Sequence, residues 1–558
     1  MGTISDKLMR IINTKEDIRQ ALISKGYDVP TSIPFKEYAK MILDLPCNAD
    51  SFPDIEGIVA RYSALGLTNE QMAENPVWKD LTGNGHDLQM KNFAWKGMSG
   101  VGGYGDENYQ TFYKFTLDDY VFIASPPGVK HMNFTFRVTG LQPGNKLTLA
   151  FFGTTNTVYG TWDKDGIYTV NSAVVEVGKP VYFYNGYGAT RGEFTIEILP
   201  LYPGALVFDG VDDYGVCENF PILTKEKGYT VVALRQWLSF QDIGYPTLVV
   251  NSTDRLAAFS FEDFRNETKS TWNWGRSVGL SDYKIPLLYT YQTSTSYNSK
   301  TIYAGATEEG SNILQVCRSG YYCANAAIWE IVILDHDATE EELTKIKDYF
   351  VKTYPWLFPD QAWTVVGKTN EDEDRATIAN ITGNGNDLVL SNFGFAEGSG
   401  YNEEGEYAGY LVTDGVDDRV QDSSFKLNKD WTLVGEWVFL NQKATNAGIT
   451  KPFSFVVYNR TTGLSLFINT GTSGITIENV KSIKAICSDG RIYFDDWSEM
   501  LISKDQDITS STSVLSIGFN GTAYTQIAFK NLGIYNNQIL SKDDCIKAYN
   551  YLQTLKSK

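Results

Sequence analysis

Residue types able to carry catalysis are scarce in this sequence. There are three histidines, His86, His131 and His336. A Ser-His-Asp arrangement or a zinc site needs more than isolated histidines, because the imidazole must be paired with a nucleophile or with further ligands. The segment holding His86 recurs later with Asn386 in its place, and His336 has no matching base nearby. Neither a Gly-x-Ser-x-Gly elbow nor a phosphate-cradling glycine loop is present. Paired carboxylates for glycoside hydrolysis stay open, because two acids at the right separation suffice. The expectation is a chain that is not an enzyme, with glycoside hydrolysis as the lesser alternative.

Two binding chemistries fit better. Asp87, Asp209, Asp212 and Asp213 could converge their oxygens on calcium, a hard cation that takes carboxylate ligands. The competing reading is that these aspartates hold turns by accepting from their own backbone. Calcium is therefore a possible cofactor, and no other is expected. Sugar sites place flat aromatics beside amides and carboxylates. Tyr182, Tyr184, Asn185 and Tyr187 supply such a set, with Trp162 and Asp163 on a nearby turn, and Trp272 and Trp274 supply another. Tyr182 and Tyr184 share a strand face, so the alternative is packing in a core or interface.

What must position these residues is a duplication. Thr82-Gly83-Asn84-Gly85-His86-Asp87-Leu88 recurs 300 positions later as Thr382-Gly383-Asn384-Gly385-Asn386-Asp387-Leu388. Asp209-Gly210-Val211-Asp212-Asp213 recurs as Asp414-Gly415-Val416-Asp417-Asp418, only 205 positions on. Tyr229-Thr230-Val231 matches Trp431-Thr432-Leu433, and Thr339 matches Ser541, both displaced by 202. Anchors kept in one order mean two copies of one module. The shortfall between the first two displacements means that the first copy carries about 95 extra residues between its first two anchors, an inserted domain.

Many short strands follow from a composition rich in Gly, Tyr, Phe, Thr and Asn. Alternating stretches at Val121–Ala124, Met132–Val138, Lys146–Phe152, Ile167–Val170, Pro180–Tyr184 and Glu193–Leu199 make the insert a small β-sandwich. Asn84-Gly85 is read as a two-residue hairpin turn. Thr339 with Glu342, and Ser541 with Asp544, open a short closing helix in each module. Leu343, Ile346 and Phe350 face inward in the first, Cys545, Ala548 and Leu552 in the second. Pro355 to Pro359 reads as the linker.

A formal net charge of -19 repels phosphate, so neither nucleic acid nor an anionic membrane is an expected partner. The six cysteines, Cys47, Cys217, Cys317, Cys323, Cys487 and Cys545, are read as buried free thiols. A Cys317–Cys323 bridge requires their strands to adjoin. The charged opening Met1–Lys7 lacks an apolar core, so no secretory signal is expected.

Residues 1–48 read as helices whose apolar stripes carry Leu8, Ile11, Ile18 and Leu22, then Phe35, Tyr38 and Ile42 after Pro34. So short a segment cannot bury these stripes alone and needs a partner. Its pattern of Ile11, Thr14, Lys15, Ile18, Ala21, Leu22, Lys25, Gly26, Pro34, Phe35, Tyr38, Ala39 and Ile42 resembles a segment of bacteriophage tail, baseplate and fibre proteins. The modules, through Phe208 to Tyr214, Asp414 to Asp418 and the helix openings at Thr339 and Ser541, resemble concanavalin A-like (laminin-G-like) jelly rolls. Module two departs from that pattern at Thr413 and Arg419. Hydrolases of that fold usually carry Glu-x-Asp-x-x-Glu on one strand, and no such run occurs here.

The expected architecture is mainly β. It has a helical docking segment (1–48), a first concanavalin A-like module (49–103 and 204–357), an inserted β-sandwich (104–203) and a second module (358–558). The expected function is a structural component of a bacteriophage virion, a head or tail fibre or appendage made in the host cytoplasm. Residues 1–48 would join it to other virion proteins, and it would form a homodimer or homotrimer. The modules would be lectin-like, with a host-surface glycan as possible ligand. The alternative is a bacterial surface carbohydrate-binding lectin.

Overall fold

The computed structural model describes residues 52–557 apart from internal stretches, the longest being 252–259, 265–276, 279–288, 302–311 and 502–512. The segment 1–48, with Leu8, Ile11, Ile18, Leu22, Phe35, Tyr38 and Ile42, lies outside the described residues, as do Tyr187, Trp272 and Trp274.

The chain is mainly β, built as sandwiches of antiparallel sheets. Among the described residues, the first sandwich faces an 8-stranded sheet against a 7-stranded one. Strand Gly100–Val101 pairs with Leu206–Asp209 (Val101 to Leu206, Gly100 to Val207), so the sheet closes across the whole insertion. The insert itself is two 4-stranded sheets. Phe112–Phe115 and Thr157–Trp162 are strands there that the sequence did not single out. The second sandwich has two 8-stranded sheets, with Ile527–Asn536 and Trp431–Phe439 paired at the centre of one.

Local alternation explains the rims of each sandwich. Leu88–Lys91 and its copy Leu388–Ser391 both run buried, exposed, buried, exposed. One face enters the core and the other meets solvent. The central strand Asn325–Leu334 breaks that pattern, since nearly all of it is buried. One of its faces lines the first sandwich core with Phe208, Val231 and Leu248. Its other face, through Ala327, Trp329, Val332 and Leu334, joins a second apolar body outside the sandwich.

That second body welds the molecule together. It gathers Ile346 and Phe350 of the helix Glu340–Thr353, Trp356 and Leu357, Ile167 and Leu199 of the insert, and Tyr535, Tyr549 and Leu552 of the second module. The stretch read as a linker is thus a buried 3-10 turn, Pro355–Leu357. Tyr535 Oη donates to the Trp356 carbonyl at 2.8 Å, and Trp329 Nε1 donates to the Pro203 carbonyl at 2.8 Å. The insert touches module two where Ile167 N donates to the Asp496 carbonyl at 3.2 Å and where Lys164 pairs with Asp496. Tyr535→Phe should therefore cost about 1–2 kcal/mol, because it leaves a buried carbonyl without its donor. Urea unfolding measures it; a change within error would mean that water reaches this seam.

Both closing helices form as read. Thr339 accepts from Glu342 N while Glu342 accepts from Thr339 N, a full capping box. Ser541 accepts from Asp544 N at 3.1 Å. A further helix, Asn69–Glu74, went unread because its six residues are too few to show a period.

The Asn84-Gly85 hairpin is corrected. Val77–Trp78 pairs with Leu88–Lys91 in a register that puts Trp78 opposite Leu88. The connection is therefore the wide loop 79–87. Asp80 holds it open, accepting from Arg61 N, Thr82 N, Thr82 Oγ1 and His86 N. Asn84 Nδ2 then ties the loop to the Ile58 and Val59 carbonyls. Several inward bonds to one buried acid outweigh a local turn preference.

Candidate functional site

The duplicated acidic turn sits at equivalent rims of the two sandwiches, between Leu206–Asp209 and Tyr214–Cys217 in the first. Asp209 Oδ1 accepts from Val211 N at 2.7 Å and Asp212 N at 3.3 Å. Asp213, fully buried, accepts from Asp209 N at 3.1 Å and from Ser99 Oγ at 3.0 Å. Gly210 has φ +77, and a Cβ there would sit 2.6 Å from Asn325 Cβ, so glycine is required. Asn92, itself at φ 68, donates to the Asp212 carbonyl.

The second copy repeats each bond. Asp414 Oδ1 accepts from Val416 N at 2.7 Å, Asp418 accepts from Asp414 N at 2.8 Å and from Ser399 Oγ at 3.1 Å, and Asn392 donates to the Asp417 carbonyl. Burial, with the Asp209 charge beside it, pushes the Asp213 carboxyl up to about 7. Burial likewise pushes Asp418 up to about 6.

In each copy the three carboxylates bring oxygens within 4.8 Å of one another. Asp209, Asp212 and Asp213 are thus brought together as the calcium reading required, but Asp87 is not among them. Asp87 pairs with Lys79 Nζ at 2.6 Å and accepts from Asp80 N at 2.9 Å, in the separate loop 79–87. One oxygen of Asp209 and both of Asp213 already accept protein hydrogen bonds. Calcium takes six to eight oxygens. The bonds in place account for the conservation of this turn between copies as a strand connector.

A cation–aromatic staple flanks each turn, and its polarity is reversed between copies. Arg318 lies 4.1 Å over the Tyr214 ring. The position of Tyr214 is Arg419 in module two, where the guanidinium lies 4.4 Å over Phe519 and 5.4 Å from the Tyr524 ring centre. Swapping which strand carries the charge preserves the attraction. The departure at Arg419 thus keeps the structure of the rim. At the tips, Tyr321 is 92% exposed, Val211 75% and Val416 66%.

The aromatic set proposed for sugar is divided by strand alternation. Trp162 pairs with Leu147, whose other neighbour in register is Asn185. Leu147 is buried in the insert core, and Trp162 packs edge-on to Phe136 at 4.8 Å. Tyr182 and Tyr184 alternate with the buried Val181 and Phe183, so they occupy the opposite face. Asp163 is exposed at the strand end. Trp162 and the tyrosines therefore do not converge, because residues of opposite parity leave a strand on opposite sides.

Of the histidines, His86 lies edge-on to Phe220 at 5.3 Å, and His336 lies 3.3 Å from both Asp335 Oδ1 and Glu342 Oε1. Among the described residues neither ring bonds a hydroxyl or thiol.

The sequence missed two buried ion pairs under the closing helices. Arg61 Nε meets Glu330 at 2.6 Å, and Tyr354 Oη donates to the same carboxylate at 2.9 Å. Lys484 Nζ reaches both oxygens of Glu436 at 2.8 Å and Tyr549 Oη at 2.9 Å. A charge inside an otherwise apolar strand is the only signal, and its partner lies far along the chain.

No known family's sequence profile matches this chain, and no curated protein sequence matches it. Among solved structures, Trypanosoma rangeli sialidase superposes at TM-score 0.25 with 9% identity, over 74% of this chain and 66% of that one, less than two thirds of the sialidase. The same sialidase in complex with the inhibitor DANA gives 0.25 and 10%, over 70% and 68%. Superpositions at these scores carry no argument about shared chemistry.

Proposed function

We propose that this chain is a structural component of a bacteriophage virion, a fibre or appendage that projects its sandwiches as one rigid arm. The observation that carries this reading is the continuous apolar weld through both modules, the insert and the buried turn Pro355–Leu357. Beads on a flexible string would expose polar linkers. Here one shared apolar body joins both modules and the insert, as a projecting rigid arm requires. The resemblance of residues 1–48 to phage tail and fibre segments supplies the docking end. Tyr321, 92% exposed at the tip of the hairpin Arg318–Cys323, supports host-surface glycan adhesion, since an exposed aromatic face suits a sugar ring.

The test uses purified particles of the phage that encodes the chain. Antibody raised against residues 52–558 should decorate them in electron micrographs, and the full chain should co-sediment with particles as a dimer or trimer. The same chain without residues 1–48 should do neither. Unlabelled particles, or equal incorporation of the truncated chain, would overturn the reading. Binding of the truncated chain to a glycan array, with no particle labelling, would point to a free lectin.

A further inference from the structure

Both modules carry the same Asn-Gly pair in the same loop, and the two pairs are held differently. The loops 79–87 and 379–387 each join two paired strands, with Trp78 opposite Leu88 and Ile378 opposite Leu388. Gly85 and Gly385 both stand at positive φ, +83 and +88. Thr82 Oγ1 accepts from Asn84 N at 3.2 Å, and Thr382 Oγ1 accepts from Asn384 N at 3.1 Å. The asparagine side chains then part. Asn84 Nδ2 donates to the Val59 carbonyl at 2.9 Å and to the Ile58 carbonyl at 3.2 Å. In module two the counterpart of the Val59 carbonyl is that of Asp360, and Thr382 Oγ1 takes it at 2.9 Å. Among the described residues the Asn384 amide group makes no hydrogen bond, and Gly385 N makes none either. Both residues are exposed.

We propose that Asn384 is a site of spontaneous succinimide formation, with water as the co-reactant and aspartate and isoaspartate as products, and that its copy Asn84 is protected by its two side-chain bonds. Gly385 N loses its proton to a solvent base and attacks Asn384 Cγ. The new N–Cγ bond replaces the Cγ–Nδ2 bond, and ammonia carries the proton away. Water then opens the imide. Cleavage at Cγ gives aspartate, and cleavage at the backbone carbonyl gives isoaspartate. The sum is one amide and one water to one carboxylic acid and one ammonia, with no change of oxidation state. Glycine suits the attack because no Cβ shields its nitrogen. The attack swings Cγ over that nitrogen. For Asn84 the swing breaks both bonds to the strand Ile58–Ser63; for Asn384 it breaks none.

Isoaspartate routes the main chain through the side chain and adds one carbon between residues 384 and 385. The Asn384 carbonyl accepts from Asn380 Nδ2, and the Asn386 carbonyl accepts from Trp363 Nε1 at 3.0 Å. The conversion therefore loosens the loop at both ties and adds one negative charge to it. Asn185-Gly186 is a contrasting pair. It lies in a strand, with Asn185 opposite Leu147 and Gly186 opposite Lys146, and the ladder keeps its backbone extended. Asn520-Gly521 lies outside the described residues.

The test holds the full chain at mildly alkaline pH, well below its melting temperature, in water enriched in heavy oxygen. The chain is then digested at low pH, and the peptides are mapped by mass spectrometry that separates isoaspartate from aspartate. The peptide containing residue 384 should exchange ammonia for one heavy oxygen and appear in both product forms. Asn84 should convert more slowly by about tenfold or more, the factor that two hydrogen bonds of ordinary strength impose. In the urea-unfolded chain the two sites should convert at similar rates, since both sit in Thr-Gly-Asn-Gly. Equal rates in the folded chain, faster conversion at Asn84, or an intact Asn384 over the time in which the unfolded chain converts would overturn the proposal.

Discussion

Glu436→Ala should destabilise the second sandwich by about 3–5 kcal/mol, the usual cost of breaking a buried ion pair from one side. The carboxylate bridges Lys484, which it holds through both oxygens, and stands near Lys530, which burial drives below the usual lysine range. Both lysines are buried. Removing the acid leaves two ammonium groups in an apolar setting with Tyr549 Oη as the bonded partner of one and the Tyr410 ring, at 5.4 Å, beside the other. Lysines in that position shed their protons or open the structure. The double variant Glu436→Leu/Lys484→Met should recover much of the loss, since an apolar pair of similar volume avoids desolvation altogether. Urea unfolding followed by tryptophan fluorescence measures both. A loss below about 1 kcal/mol for Glu436→Ala would mean that the pair is solvated and lies off the stability-determining seam.

The second large effect is a pH dependence carried by the duplicated turn. Asp213 titrates near 7 in the folded protein against an ordinary value of 3.8, and Asp418 near 6. Between the unfolded and folded values the native state binds more protons, so these two groups make stability fall as pH rises. Their contribution is complete below about pH 4 and is lost as pH passes 6 and then 7. At about 1.4 kcal/mol per unit, the ceilings are about 4 kcal/mol for Asp213 and about 3 kcal/mol for Asp418. Asp213→Asn should remove the Asp213 part. The amide oxygen still accepts from Asp209 N, and the amide nitrogen donates to Ser99 Oγ, as a protonated carboxyl would. The measurement is the difference in unfolding free energy between wild type and variant from pH 4 to 8. That difference should shift progressively in the variant's favour across this range. A constant difference would sink the assignment. Repeating the series with calcium separates the two readings of the triad: a cation held by Asp209, Asp212 and Asp213 would rescue the wild type at high pH and leave Asp213→Asn unchanged.

The residues that recorded the duplication could be read because each does its work locally. Gly210 and Gly415 answer a positive φ, Asp209 and Asp414 cap the amides two and three residues ahead, and Thr339 and Ser541 cap the helices that follow them. Such bonds leave a short, position-exact trace, and their matched order also exposed the insertion. Most strands of the insert were legible through alternation for the same reason, Phe112–Phe115 and Thr157–Trp162 excepted. Asn84-Gly85 failed where a distant acid, Asp80, overruled a local preference.

By itself the sequence determined a mainly β chain, two copies of one module, an insertion in the first, and a capped helix closing each. Only the tertiary structure decided that Trp162 and Tyr182 leave their sheet on opposite faces and that Asp87 belongs to a different loop from Asp213. It also decided that Trp356 sits in a buried turn rather than a free linker, and that Glu436 finds Lys484. These outcomes depend on register and on which faces meet, and both are set by contacts between residues tens to hundreds of positions apart. A local pattern tells a side chain which way to alternate; only the packed partner tells it what lies on that side.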